Sequence, residues 1–417
     1  MRSHLLLSFL FLQLITNCSS PPESAKNNSP VILDDILKLE LEFGAENVQD
    51  EFLLAKPTGI AVSYKGDIYV SDEDRIKVFD KNGKERSIIG KPGEGPGEFD
   101  FTYRSIPKIS PTGYISIYDK KGFNLFSPGH DFIKSEKLKN IPKYDTFLDE
   151  LGLRNLYEEK GCYFNESVKI LEGFAYYKDP EDFYTQSHML WYENGENIEK
   201  VTDYKNVKQI SVGIVGVNLY FNGTLLWDIM SRDRVVFTHP YFDSVREDQK
   251  SSYSLNIYSL SDRKSIKLSN TYTRVEIPDS LEKAFYNTLK EVKEMGSMGT
   301  DADIFEIAAN QFEDILDETQ YFTPLKSLLT DRNHIFAFTH TTNNKGDILA
   351  DVFDADKEQY TCSAYFDFIP DVIKNGYVYR IGKNDEGFPV IQKYSIDQAV
   401  YAKKQGAGPR LQGAGGK

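Results

Sequence analysis

The chain has 417 residues, 40% hydrophobic and 27% charged, with a formal charge of −14. This is globular composition at a length that holds one large domain or two smaller ones. The acidic balance argues against a broad basic face for nucleic acid or anionic lipid, so no nucleic-acid partner is expected. The 26 Tyr and 27 Phe suit strands more than helices.

Met1 to Cys18 reads as an export signal. Arg2 supplies the positive start, and Leu5 to Ile15 an apolar core broken only by Ser8 and Gln13. That run is too short to cross a bilayer, which takes about 20 apolar residues. Leu14-Ile15-Thr16-Asn17-Cys18 resembles a bacterial lipobox, with Asn17 where Gly, Ala or Ser is usual. The resemblance implies that residues 1–17 are removed and that Cys18 carries the lipid. Several acyl chains on one cysteine would hold the protein at a membrane stably. The same resemblance implies that Ser19 and Ser20, with no Asp to favour inner-membrane retention, lean toward the outer membrane. Residues 18–30 have the composition of a flexible tether. Cys162 and Cys362 are expected to be buried thiols in separate parts of the fold.

Val31 to Phe43 alternates from Leu37 on, with Leu37, Leu39, Leu41 and Phe43 on one side. The expectation is an isolated strand that closes a ring by pairing with the C-terminus, leaving no open sheet edge. Pro57 to Phe99 then reads as one four-stranded propeller blade and an exit loop. Its runs are Ile60–Val62, Ile68–Ser71, Ile76–Val78 and Ser87–Ile89. Lys65-Gly66, Asp72-Glu73-Asp74 and Asn82-Gly83 turn between them. At Asn82-Gly83 both central residues are expected at φ > 0. Gly113 follows Gly66 by 47 positions and Asp119 follows Asp72 by 47, so the pattern recurs. A fixed offset of this size marks radial repetition. Gly90 to Phe99 lacks the Gly-Lys-Ser/Thr ending of a phosphate loop and reads as an inter-blade link.

Beyond Asp149 the repeats degrade. Leu171–Tyr177 and Met189–Gly195 supply a third blade. Tyr220–Trp227, Arg234–Thr238 and Tyr253–Leu260 supply a fourth. At Asp279 the period changes to that of a helix, with Leu281, Phe285, Leu289 and Val292 on one face. Ile304 to Leu316 gives a second helix, so a helical hairpin over about 279–318 is expected between blades. Ile335–Thr339, Leu349–Phe353, Ser363–Ile369, Gly376–Arg380 and Phe388–Tyr394 fill two further blades. The fold class is therefore all-β, a six-bladed β-propeller over residues 31–401 with an inserted helical hairpin. Residues 402–417 read as a disordered basic tail.

The block from Pro57 to Gly83 resembles an NHL-type repeat. The whole layout resembles the six-bladed propeller lipoproteins of Gram-negative bacteria, whose closing pattern is similar to Pro370-Asp371-Val372-Ile373-Lys374-Asn375-Gly376-Tyr377 here. That resemblance implies a lipid-anchored extracytoplasmic module in the cell envelope that binds or scaffolds a protein or small-molecule ligand, with its membrane contact through Cys18. It also implies an alternative, because related six-bladed folds include calcium-dependent lactonases and phosphatases with a site at the channel mouth. Asp72 and Asp119 are the acidic residues considered for such a mouth. An Asp after a strand also caps its own turn, and two carboxylates do not make a calcium shell. No spacing of carboxylates around a His suggests a metal site, and His239 stands before Pro240 in a polar loop. His334 and His340 stand at opposite ends of one strand, too far apart to share an ion. No catalytic residue, metal ligand or cofactor is assigned.

Overall fold

A computed structural model describes residues 31–402 except 47, 100–105, 120–121, 138–140, 179–185, 207–222, 248–249 and 295–319. The segments expected to form a signal peptide, a tether after Cys18, a basic tail and a second helix of the insert lie outside the described residues. Two strands come first, β1 (Ile32–Leu33) and β2 (Leu37–Phe43). Blade 1 follows with β3 (Pro57–Val62), β4 (Ile68–Asp72), β5 (Arg75–Phe79) and β6 (Glu85–Ile89). Blade 2 has β7 (Lys108–Ile109), β8 (Ile115–Asp119), β9 (Gly122–Phe126) and β10 (Phe132–Glu136), and α1 (Pro142–Glu150) leads out of it. Blade 3 has β11 (Leu153–Tyr163), β12 (Val168–Tyr177), β13 (Gln186–Asn194) and β14 (Asn197–Asn206).

Blade 4 comprises β15 (Leu226–Ile229), β16 (Arg234–Thr238), β17 (Ser244–Glu247), β18 (Lys250–Ser259) and β19 (Ser265–Thr271). Here the long β18 pairs with β17 along one half and β16 along the other, with β19 outside. After α2 (Asp279–Glu294), blade 5 is β20 (Leu325–Asp331), β21 (His334–Thr342), β22 (Ile348–Asp354) and β23 (Gln359–Phe366). Blade 6 is β24 (Val372–Lys374), β25 (Tyr377–Lys383) and β26 (Pro389–Ile396). The expected helix at Asp279 and the six blades are both present.

Ring closure uses both N-terminal strands. β2 pairs antiparallel with β26 and supplies the outermost strand of blade 6, as its alternation predicts. β1 adds a parallel fifth strand to the outer edge of blade 5, through Ile32↔Ser363 and Leu33↔Ala364. One segment therefore fastens two blades and covers two edges that would otherwise stay open.

The turn at Asn82-Gly83 differs from the expected one. Only Gly83 has positive φ (+78°), Gly83 N–H donates to Asp80 O, and the ladder slips by one residue between Val78 and Phe79. That is a type I turn with a bulge rather than a two-residue hairpin with both residues at φ > 0. The same five-residue turn recurs at Ser63–Asp67, Ser110–Tyr114, Asn343–Asp347 and Asn384–Phe388. It starts on a side chain that can accept from the turn's own N–H groups.

Apolar side chains alternate into the interfaces between blades. Ile76, Val78, Ile115 and Ile117 are shared by blades 1 and 2, and Leu171, Met189 and Trp191 by blades 2 and 3. Cys162, Ile170, Leu190 and Val235 fill the contact of blades 3 and 4. Each blade buries both faces, so none can stand alone.

Candidate functional site: the axis and the face of long connections

Each blade begins at the axis and ends at the rim. Every link from one blade to the next therefore returns to the starting end of an innermost strand. These links are 90–107, 137–152, 207–225, 272–324 and 367–371. Helices α1 and α2 lie in them, so among the described residues one face of the ring gathers the long connections and the other carries tight turns.

An axial cavity of about 100 Å³ is lined by every blade, through Ala61, Lys108, Cys162, Asp228, Thr330 and Ile373 among others. Lys374 Nζ stands 3.7 Å from the Tyr64 ring centroid, and Lys108 Nζ 5.8 Å from that of Trp227. Asp228 accepts from Thr330 N at 3.0 Å, Thr330 Oγ1 at 2.8 Å and Ile229 N at 2.9 Å. Burial pushes the Cys162 thiol up to about 12, so it is protonated and a poor nucleophile at neutral pH. Cys362 is likewise a buried thiol outside any disulfide, as expected, and its Sγ donates to Val400 O at 3.5 Å.

Behind Trp227, blade 3 assembles a charged cluster that sequence spacing does not reveal. Register sets Lys160 opposite Glu172 and His188 opposite Phe174, so β11, β12 and β13 bring Glu159, Lys160, Glu172 and His188 together. Atoms of Glu159, Glu172 and His188 that could hold a metal lie within 4.8 Å of one another. Glu172 is fully buried and accepts from His188 Nε2 at 3.0 Å and Trp227 Nε1 at 2.5 Å, with Lys160 Nζ at 3.2 Å. Burial alone would raise its pKa, yet the Lys160 charge and the bonds from His188 and Trp227 bring it down to about 2. The Lys160 ammonium thus supplies the counter-charge, and a cation there would have to displace it.

His239 is buried rather than set in a polar loop. Its ring lies 5.0 Å from Tyr204 and 4.7 Å from Phe242, because aromatic neighbours close over the end of β16. Burial, aided by the His188 charge, pushes its pKa down to about 3. His340 stacks on Phe322 at 4.3 Å, while His334 packs edge-on against Tyr401, so the two belong to separate environments.

Asp72 and Asp119 end β4 and β8, the second strands of their blades, and neither lines the axial cavity. Asp72 binds Lys77 Nζ at 2.7 Å and accepts from the backbone N–H groups of Ala55 and Lys56. It anchors the entry to β3 through this longer-range link instead of capping its own turn.

A second cavity, of about 350 Å³, lies on the long-connection face between blades 4 and 5 and α2. Leu226, Leu281, Phe322, Leu325 and Pro240 supply an apolar wall, with Thr224, Thr323, Lys326 and His340 as polar groups. This volume and mixture match small-molecule sites. Burial and the Lys326 charge push the His340 pKa down to about 4, leaving a neutral ring at pH 7.

A family model described as "6-bladed beta-propeller" matches residues 24–127, from before β1 to just past β9. Among solved structures, an exported-protein candidate from Bacteroides fragilis aligns at 13% identity and a TM-score of 0.48, covering 88% of this chain and 99% of its own. The β-propeller domain of the Trilobed protease from Pyrococcus furiosus aligns at 13% identity and a TM-score of 0.33, covering 82% and 94%. The Pan2 WD40 domain of Neurospora crassa aligns at 8% and 0.34, covering 88% and 98%. No curated protein matches the chain. The propeller class rests on the six sheets and the family match; the structural likenesses add nothing about activity.

Proposed function

We propose that this protein is a lipid-anchored propeller of the cell envelope that binds a small, largely apolar ligand on its long-connection face. The cavity under α2 carries the reading: its size and apolar wall suit a ligand, and its few polar groups would orient one. The lipobox-like Leu14 to Cys18 and the tether after it support an anchor through acylated Cys18, with the outer membrane as its address. The resemblance of the first blade to an NHL-type repeat fits a role in binding.

The test for the site is titration of the full chain with the fluorescent apolar probe 8-anilinonaphthalene-1-sulfonate, beside a Leu281→Trp variant that fills the cavity. Saturable binding lost in a variant with unchanged melting supports the site; absence of binding, or equal binding by the variant, removes it. The anchor is tested by metabolic labelling with a radiolabelled fatty acid. Label should appear on the wild-type chain and vanish in Cys18→Ala; an unlabelled wild type rules the anchor out.

A further inference from the structure

We propose that the axial cavity is an anion site in which Lys108 and Lys374 together hold one small oxyanion, a carboxylate or phosphate group. The proposal is independent of the apolar cavity, which lies under α2. A survey of the lysines withdrawn from solvent supports it. Lys77 meets Asp72 at 2.7 Å, Lys134 meets Glu136 at 3.3 Å, Lys143 meets Glu193 at 2.7 Å and Lys169 meets Glu136 at 2.8 Å. Lys393 donates to the Lys81 carbonyl at 3.0 Å.

Lys108 and Lys374 break the pattern. Among the described residues neither has an ion pair or a hydrogen bond, and each lies over an aromatic ring, with the Asp228 and Asp331 charges acting on Lys374 from a distance. They come from blades 2 and 6, on either side of blade 1, and both line the axial cavity. An ammonium withdrawn from water without an ion pair is costly.

The nearby carboxylates are committed elsewhere. Asp228 is taken by Thr330, and Asp331 by the N–H groups of Asn375 and Gly376 and the Tyr401 hydroxyl. Asp371 accepts from Ile381 N. Bonds from neutral donors leave these carboxylates charged, so an oxyanion would have to be held by direct contact with the two ammonium groups. The cavity, about 100 Å³, suits a group of phosphate size and excludes a drug-sized ligand. The rings of Tyr64 and Trp227 would hold the ammonium groups in place before the anion arrives.

The experiment is calorimetric titration and thermal melting of the full chain with inorganic phosphate and, separately, malonate, against sodium chloride at equal ionic strength. A saturable rise in Tm with either anion is expected. Affinity should fall at least tenfold in Lys108→Met or Lys374→Met, and binding should vanish in the double variant. Response to phosphate alone assigns a phosphate ligand, and response to malonate alone a carboxylate. No rise beyond the chloride control, or an equal rise in the double variant, overturns the site. If the Met variants do not fold, reductive methylation of the wild-type chain decides. Saturating anion should protect Lys108 and Lys374 selectively, and uniform labelling overturns the proposal.

Discussion

Blades 1 and 3 solve one packing problem by different means. Blade 1 uses strands of five or six residues and presents Ile68, Val70, Ile76 and Val78 to its neighbours, with Lys77–Asp72 as its buried ion pair. Blade 3 uses strands of nine to eleven residues and places charge on both faces. Toward blade 4 stands the Glu172 cluster. Toward blade 2, Lys169 reaches Glu136 at 2.8 Å and Glu193 at 3.1 Å, and Tyr144 of α1 also donates to Glu193. The degraded repeat has not lost its interfaces. It has exchanged part of the aliphatic contact for buried ionic contact, which is sensitive to loss of either partner and to acid.

The largest test of that contrast removes one partner. Glu172→Ala leaves His188 and the Trp227 N–H buried without an acceptor, and should cost about 3–5 kcal/mol by urea unfolding. Trp191→Ala, an aromatic deletion in the same blade, should cost a similar 3–5 kcal/mol through the cavity it leaves. If Glu172→Ala costs under a quarter as much, blade 3 is held by its apolar contacts alone.

Acid should separate the two blades next. The Glu172 pKa is depressed in the fold, so its contribution is complete above the unfolded value of 4.5 and is lost as pH falls toward about 2. That loss amounts to about 3 kcal/mol. Hydrogen exchange over this window should show β11–β14 losing protection before β3–β6. Equal loss would show that the network is not what acid attacks.

His239 acts in a milder window. Its folded pKa of about 3 lies below the unfolded 6.5, so its contribution is complete above pH 6.5 and declines as pH falls toward 3. Melting of His239→Phe should therefore depend less on pH between 6.5 and 4 than wild type. A parallel dependence would count against the assignment.

Smaller effects test the closing segment. A Cβ at Gly83 would meet the Phe43 ring of the closing strand at 2.8 Å in a left-handed conformation, so Gly83→Ala should cost about 1–3 kcal/mol. Lys345→Ala, which removes an exposed pair with Asp35 beside β1, should leave the melting curve unchanged.

Legibility followed the same division. The alternation of blade 1 and its copy in blade 2 made those sheets readable, as did Leu37 to Phe43 for the closing strand. β11 was missed because Glu158-Glu159-Lys160 interrupts its apolar pattern and two register shifts break the period of two. α1 was missed although Pro142 at its start and Tyr144, Phe147 and Leu148 at helical spacing are its signals. β14, β19 and β20 also went unassigned, being rich in polar residues. The Glu159–Glu172–His188 cluster has no local spacing, since its members come from three strands.

The sequence by itself determined the repeating blade, the places of the turns between its strands and the ring's closure. Each depends on contacts within about 50 residues or on one strand's alternation, and local pattern records both. Only the tertiary structure decided which charges are paired, which cavity each blade lines and that Lys108 and Lys374 both line the axial one. Those are contacts between blades, set by strand register and by the curvature of the whole ring, and side-chain identity along one strand carries no record of them.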